Sequence, residues 1–119
     1  MRDVHVTWGF VAVVANALAG LYALAAWRWP RLRGRPVWAA IGVAFGAIMV
    51  QVVFGVWLVA VDDFEPPEIH MFYGFLVYVT VGVLYSYNHL FRARGWMELA
   101  YGLGGLFMMG LGIRAIFQV

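Results

Sequence analysis

The stretch QVVFGVWLVAVDDFEPPEIHMFYGFLVYVTVGVLYSYN, residues 51–88, decides how this chain is read. An apolar run closes on Val61, and a short acidic turn from Asp62 to Glu68 carries Pro66 and Pro67. A second apolar run then opens with His70 in its first turn. Neither run alternates as a strand would, and each is long enough as a helix to cross a hydrocarbon core about 30 Å thick. An ionisable side chain at the edge of such a span is a functional candidate. The question the stretch poses is what His70 binds, and with which partner.

Outward from this stretch the pattern repeats. Four apolar segments are expected as helices, at about 4–27, 37–61, 69–91 and 97–118, each of roughly 20 to 25 residues. With 65% hydrophobic and 12% charged residues in a chain of 119, the class is integral membrane protein. The first run is too long for a signal peptide and is followed at once by RWPRLRGRP, which predicts a retained helix. The expected fold is therefore all-α: one transmembrane domain, 1–119, built as an up-down four-helix bundle with short loops. No cysteine is present, which excludes disulfides, thiolate ligands and iron–sulfur clusters.

Charge orients the bundle. All eight basic residues are arginine, and Arg28, Arg31, Arg33, Arg35, Arg92 and Arg94 lie in the first and third loops. The second loop holds Asp62, Asp63, Glu65 and Glu68 and no base. The arginine bias predicts loops 28–36 and 92–96 in the cytoplasm, loop 62–68 outside, and both termini outside, in the inner (plasma) membrane of a cell. Trp27, Trp29, Trp38 and Trp96 flank the cytoplasmic ends as interfacial anchors, and Pro30 and Pro36 bound the first loop. The high pI thus reflects topology, with the lipid bilayer as partner and no nucleic acid.

Small residues predict where helices meet. Gly42 and Gly46 form a GxxxG pair with Ala39 near the same stripe, and the fourth segment carries Gly102, Gly104, Gly105, Gly110 and Gly112. Packing within the chain is the first expectation for both sets, ahead of a subunit interface. Asn16 and Gln51 fall near mid-membrane, where hydrogen bonds between the first two helices are expected.

Of the three histidines, His5 opens the first helix and His70 the third, and these helices run the same way in an alternating bundle. Their imidazoles should therefore lie at matched depth near the outer face. His89 falls about 28 Å further along the third helix, and reads as an interfacial polar residue beside Tyr87, Asn88 and Arg92. Two histidines at one depth on helices that can sit diagonally suit axial ligation of a haem iron. Gly9 and Gly74 each follow a histidine by one helical turn, leaving room for a flat macrocycle against the backbone. Trp8, Ala12 and Asn16 share the face of His5, and Arg2 and Arg114 are candidates for propionate partners. Gln51 is a further candidate lining residue. A zinc or copper site is the weaker expectation, because no further ligand set accompanies the two imidazoles.

These motifs resemble those of the haem A synthase family. Each four-helix half of that family opens one helix with a histidine motif, continues through Gln-x-x-x-Gly and a proline-bearing outer loop, and opens a later helix with a second histidine. Here the corresponding residues read DVHVTWG around His5, QVVFG from Gln51 to Gly55, EPPEIH from Glu65 to His70, and MFYG ending on Gly74. The resemblance covers nearly the whole chain. It departs at Arg2, where the family has glutamate, at Val6, where it has arginine, and at Val56, where it has glycine. Those departures bear on oxidative chemistry more than on haem binding.

Three functions are expected from this reading. The first is a haem b protein with a bis-histidine site at His5 and His70, serving electron transfer or haem handling in a respiratory system. The second, implied by the resemblance, is a dimeric half-size haem A synthase-like enzyme. The third is a cofactor-free small subunit or assembly factor of a larger membrane complex.

Overall fold

The computed structural model describes residues 2–63 and 65–117. Residue 64 of the acidic loop and the expected helix end at 118 lie outside the described residues. Helix α1 spans Arg2–Arg28, and a 3-10 turn at Pro30–Leu32 leads into α2, Arg35–Ala60. Then follow α3, Glu68–Ser86, a short α4, Asn88–Arg94, and α5, Met97–Phe117. The described residues contain no strand. Helices α1, α2, α3 and α5 are long and apolar enough to cross a membrane. Their outward faces carry bare apolar side chains, with Val43 71%, Leu18 65% and Phe75 60% exposed. Water would penalise such a surface; hydrocarbon does not.

The chain is organised around α1, which packs against α2 on one side and α5 on the other, while α3 packs on α5. The α1 face that enters these contacts is built of small residues: Gly9, Ala12, Asn16, Ala19, Gly20, Ala23 and Ala26 are all buried. The tightest seam is α1 against α5. A Cβ added at Gly102 would sit 3.0 Å from the carbonyl oxygen of Gly20, and one at Gly105 would lie 3.3 Å from the Cα of Gly20. Glycine is required here because backbone meets backbone. Gly104 and Gly112 are equally crowded, against Leu84 of α3 and Val13 of α1, whereas Gly110 has open space around it.

Polar bonds tie α1 to α2 in antiparallel register. Asn16, fully buried, donates to the carbonyls of Ala12 (2.9 Å) and Ala44 (3.0 Å). The Trp8 indole donates to Ala47 (2.7 Å), and Gln51 donates to the carbonyl of His5 (2.7 Å). At the opposite end, Tyr101 of α5 packs between Trp38 and Phe45 of α2, with centroids 5.4 and 5.6 Å away. Arg33 closes the end of α1: its guanidinium donates to Ala26 (2.9 Å) and Trp27 (2.7 Å) and lies 3.5 Å from Glu98 at the start of α5. Two otherwise unpaired helix-terminal carbonyls are thereby satisfied.

Three differences from the sequence-based expectation have physical causes. The third span ends at Ser86 instead of continuing to residue 91, and the chain restarts as α4 after Tyr87. Ser86, Tyr87 and Asn88 are weak helix formers, and Asn88 accepts a 2.6 Å hydrogen bond from Tyr101. Gly42 and Gly46 do not pack within the chain; both are exposed, with nothing within 4 Å of an added Cβ. Finally, α2 and α3, consecutive in the chain, touch only sparsely, because α1 and α5 carry the packing between them.

The two glycine sets should respond oppositely to bulk. Gly102→Val should lower the unfolding free energy in detergent by about 1–3 kcal/mol, the usual range for overpacking. Gly46→Val should leave it within about 0.5 kcal/mol, as expected of a surface position. Denaturant titration followed by helical circular dichroism measures both.

Candidate functional site

The sparse α2–α3 seam opens into a cavity of about 630 Å³, within the range that holds small-molecule ligands. Its walls come from α1, α2, α3 and the end of α5, and are largely apolar. His5, Gly9, Gln51, His70 and Gly74 all line it. Of the other expected site residues, Trp8 spends its indole N–H on Ala47 and does not line the cavity. Arg114 is exposed and also lies off the lining, whereas Arg2 is part of it. His89 is exposed on α4, away from this cavity.

His5 and His70 meet across the cavity. Their ring centroids are 6.1 Å apart, with the planes at 72°. Two imidazole nitrogens each about 2 Å from one metal ion set the ring centroids roughly 6 Å apart. The observed centroid spacing is of that size. His70 Nδ1 lies 2.8 Å from the carbonyl oxygen of Ala115. That oxygen only accepts, so Nδ1 carries a proton, and in the neutral ring Nε2 keeps its lone pair. A metal-binding imidazole is commonly held in this way, with its second nitrogen bonded to a backbone carbonyl.

His5 is held from α2. The Gln51 amide nitrogen donates to the His5 carbonyl and lies 3.4 Å from His5 Nε2. Gly9 and Gly55 make the space for this pair: added Cβ atoms would lie 2.9 Å from Gln51 Nε2 and 3.3 Å from His5 Cε1. At Gly74, by contrast, an added Cβ would meet nothing within 4 Å, so this glycine contributes volume. Buried His5 Nδ1 and Gln51 Oε1 have no hydrogen-bond partner among the described residues. Orphaned polar atoms are uncommon in apolar surroundings; Asn16 Oδ1, away from the cavity, is another, so it is the position of these two on the cavity wall that singles them out.

The donor set limits the chemistry. Among the described residues no group of three or more His, Cys, Asp or Glu could hold a metal ion. A bare zinc ion takes four ligands, which two imidazoles do not supply. Two axial imidazoles do suffice for an ion whose other positions are filled by a macrocycle.

Sequence reasoning did not identify the Ala115 carbonyl, since a backbone acceptor has no residue signature, nor the contact of Gly55 with His5. The second of these is foreshadowed by the one-turn spacing of Gln51 and Gly55. Compared with protein-family profiles, curated proteins and solved structures, the chain matches none.

Because Gly74 faces open volume, Gly74→Leu should fill part of the cavity without straining the fold. The expected outcome is an unfolding midpoint close to wild type together with loss of any ligand that co-purifies, read by absorbance and mass spectrometry. Retention of that ligand in full would place it elsewhere.

Proposed function

We propose that the chain is a haem b protein of the membrane, with His5 and His70 as axial ligands. It passes electrons or handles haem for a respiratory system. The observation that carries this reading is the pair of imidazoles 6.1 Å apart over a glycine-relieved apolar cavity. Bound haem supplies one-electron chemistry. The chain's own residues orient and shelter it: His70 is fixed by Ala115, Gly74 keeps its wall low, Gly9 gives room to Gln51, and the apolar lining excludes water. Arg2 lines the cavity and Arg114 does not, which supports Arg2 over Arg114 as the propionate partner in this reading. The resemblance to one half of a haem A synthase supports the same reading through its motifs. In this proposal the four long helices alternate up and down, loop 62–68 and both termini lie outside, and the arginine loops lie in the cytoplasm.

A second reading, a small subunit of a larger membrane complex, is favoured by one observation. Ala39, Gly42 and Gly46 present a small-residue stripe outward, with open space at both glycines.

A reduced-minus-oxidised spectrum of the purified protein tests the haem reading. Two neutral imidazoles should give low-spin, six-coordinate iron with a sharp reduced α band and no reaction with carbon monoxide. His5→Ala and His70→Ala should each yield a high-spin, carbon-monoxide-reactive site or an empty one, while His89→Ala should match wild type. Absence of haem from the wild type would leave the subunit reading.

Topology is tested by single cysteines in this cysteine-free chain. Asp62→Cys and Arg31→Cys should label from opposite sides of the membrane. These positions avoid Arg33, which closes α1, and Asp63, whose φ of 52° disfavours substitution. Labelling of both from one side would overturn the proposed orientation.

A further inference from the structure

His5 lies in the first turn of α1, where helix ends fray unless held. A ligand in that position needs an external anchor, and Gln51 of α2 supplies one. Its amide nitrogen is 2.7 Å from the His5 carbonyl oxygen and 3.4 Å from ring Nε2. One amide hydrogen is thus committed to the backbone, and the other is free to point at the ring. When the neutral ring accepts this N–H at Nε2, its proton lies on Nδ1, which has no other partner among the described residues. The 3.4 Å separation makes the ring contact weak, and therefore easily exchanged for a stronger partner.

We infer that Gln51 is the positioning residue for His5: it anchors the first turn of α1 and keeps Nε2 unprotonated until a ligand takes that lone pair. This rests on the haem reading of the cavity. Ala115 imposes the same tautomer on His70 through its carbonyl. The two imidazoles are thereby set alike from different elements, one by a backbone acceptor and one by a side-chain donor. Gly9 and Gly55 follow from this arrangement. Any side chain at Gly9 would meet the Gln51 amide at 2.9 Å, and one at Gly55 would press on the ring at 3.3 Å.

The test has one arm without haem and one with it. In ligand-free protein carrying ¹⁵N-histidine, His5 should show one tautomer, with Nε2 unprotonated. Gln51→Leu should give a mixture. Gln51→Glu, which places carboxyl oxygens where the amide donor stood, should move the proton toward Nε2. A purely structural role would not separate these two variants. Where the leucine variant fails to insert, Gln51→Met keeps the length and flexibility of the side chain without its N–H. In haem-loaded protein, Gln51→Leu should acquire a high-spin, carbon-monoxide-reactive fraction, as His5→Ala does, while His70 still holds the haem. A mixed tautomer in wild-type His5, or an unaltered low-spin spectrum in Gln51→Leu, would overturn the positioning role and leave the haem reading standing. A wild type without haem whose His5 still follows the Gln51 variants would support the Gln51–His5 coupling and overturn the haem reading.

Discussion

The contact of α1 with α5 at Gly20, Gly102 and Gly105 is the constraint on which the remaining arrangement depends. In hydrocarbon, apolar side chains gain nothing by leaving lipid for protein, so helices associate where their backbones can approach closely. Here a Cβ at Gly102 would lie 3.0 Å from the carbonyl oxygen of Gly20, closer than side chains ordinarily pack against backbone. Once these two helices are joined, α2 occupies the other side of α1 and α3 the other side of α5. The first and third spans are thereby held apart except where long side chains reach across. His5 and His70 are such side chains.

The cavity follows from the same constraint. Because α1 and α5 carry the central packing, α2 and α3 are left without a continuous seam, and the space between them is walled by side chains from all four long helices. At the opposite end, Tyr101 of α5 packs between Trp38 and Phe45 of α2. Aromatic rings thus join α2 to α5 at the arginine-rich end, while the cavity lies at the histidine end. Near the histidines, Gly55 and Gly74 on α2 and α3 both line the cavity.

Much of this was legible in the sequence, for identifiable reasons. The four spans follow from apolar length, which a bilayer enforces strictly because unpaired backbone groups are costly there. The meeting of His5 and His70 is foreshadowed by each residue lying in the first turn of a long apolar helix. What the sequence does not carry is helix rotation. Gly42 and Gly102 each belong to a stripe of small residues, yet one faces outward and the other is locked against α1. The choice depends on which helix faces compete for α1, a property of the whole bundle. The stop at Ser86 likewise depends on Asn88 finding Tyr101, a partner on another helix.

Asn16 and Gln51 show how the same polar chemistry serves two ends. Both are carboxamides that link α1 to α2, and both leave an oxygen without a partner among the described residues. Asn16 directs its N–H groups at two backbone carbonyls deep in the α1–α2 seam, so its role is complete without a ligand. Gln51 sends one N–H to a backbone carbonyl and sets the same nitrogen near an imidazole on a cavity wall. A purely structural bridge would gain nothing from that second contact, which is long and weakly bonded. In the proposed site its value lies in being replaceable: a weak donor to Nε2 gives way to a ligand that takes the same lone pair. On this argument the sense of the Gln51 amide, donor toward the ring, matters as much to the proposed site as the two imidazoles themselves.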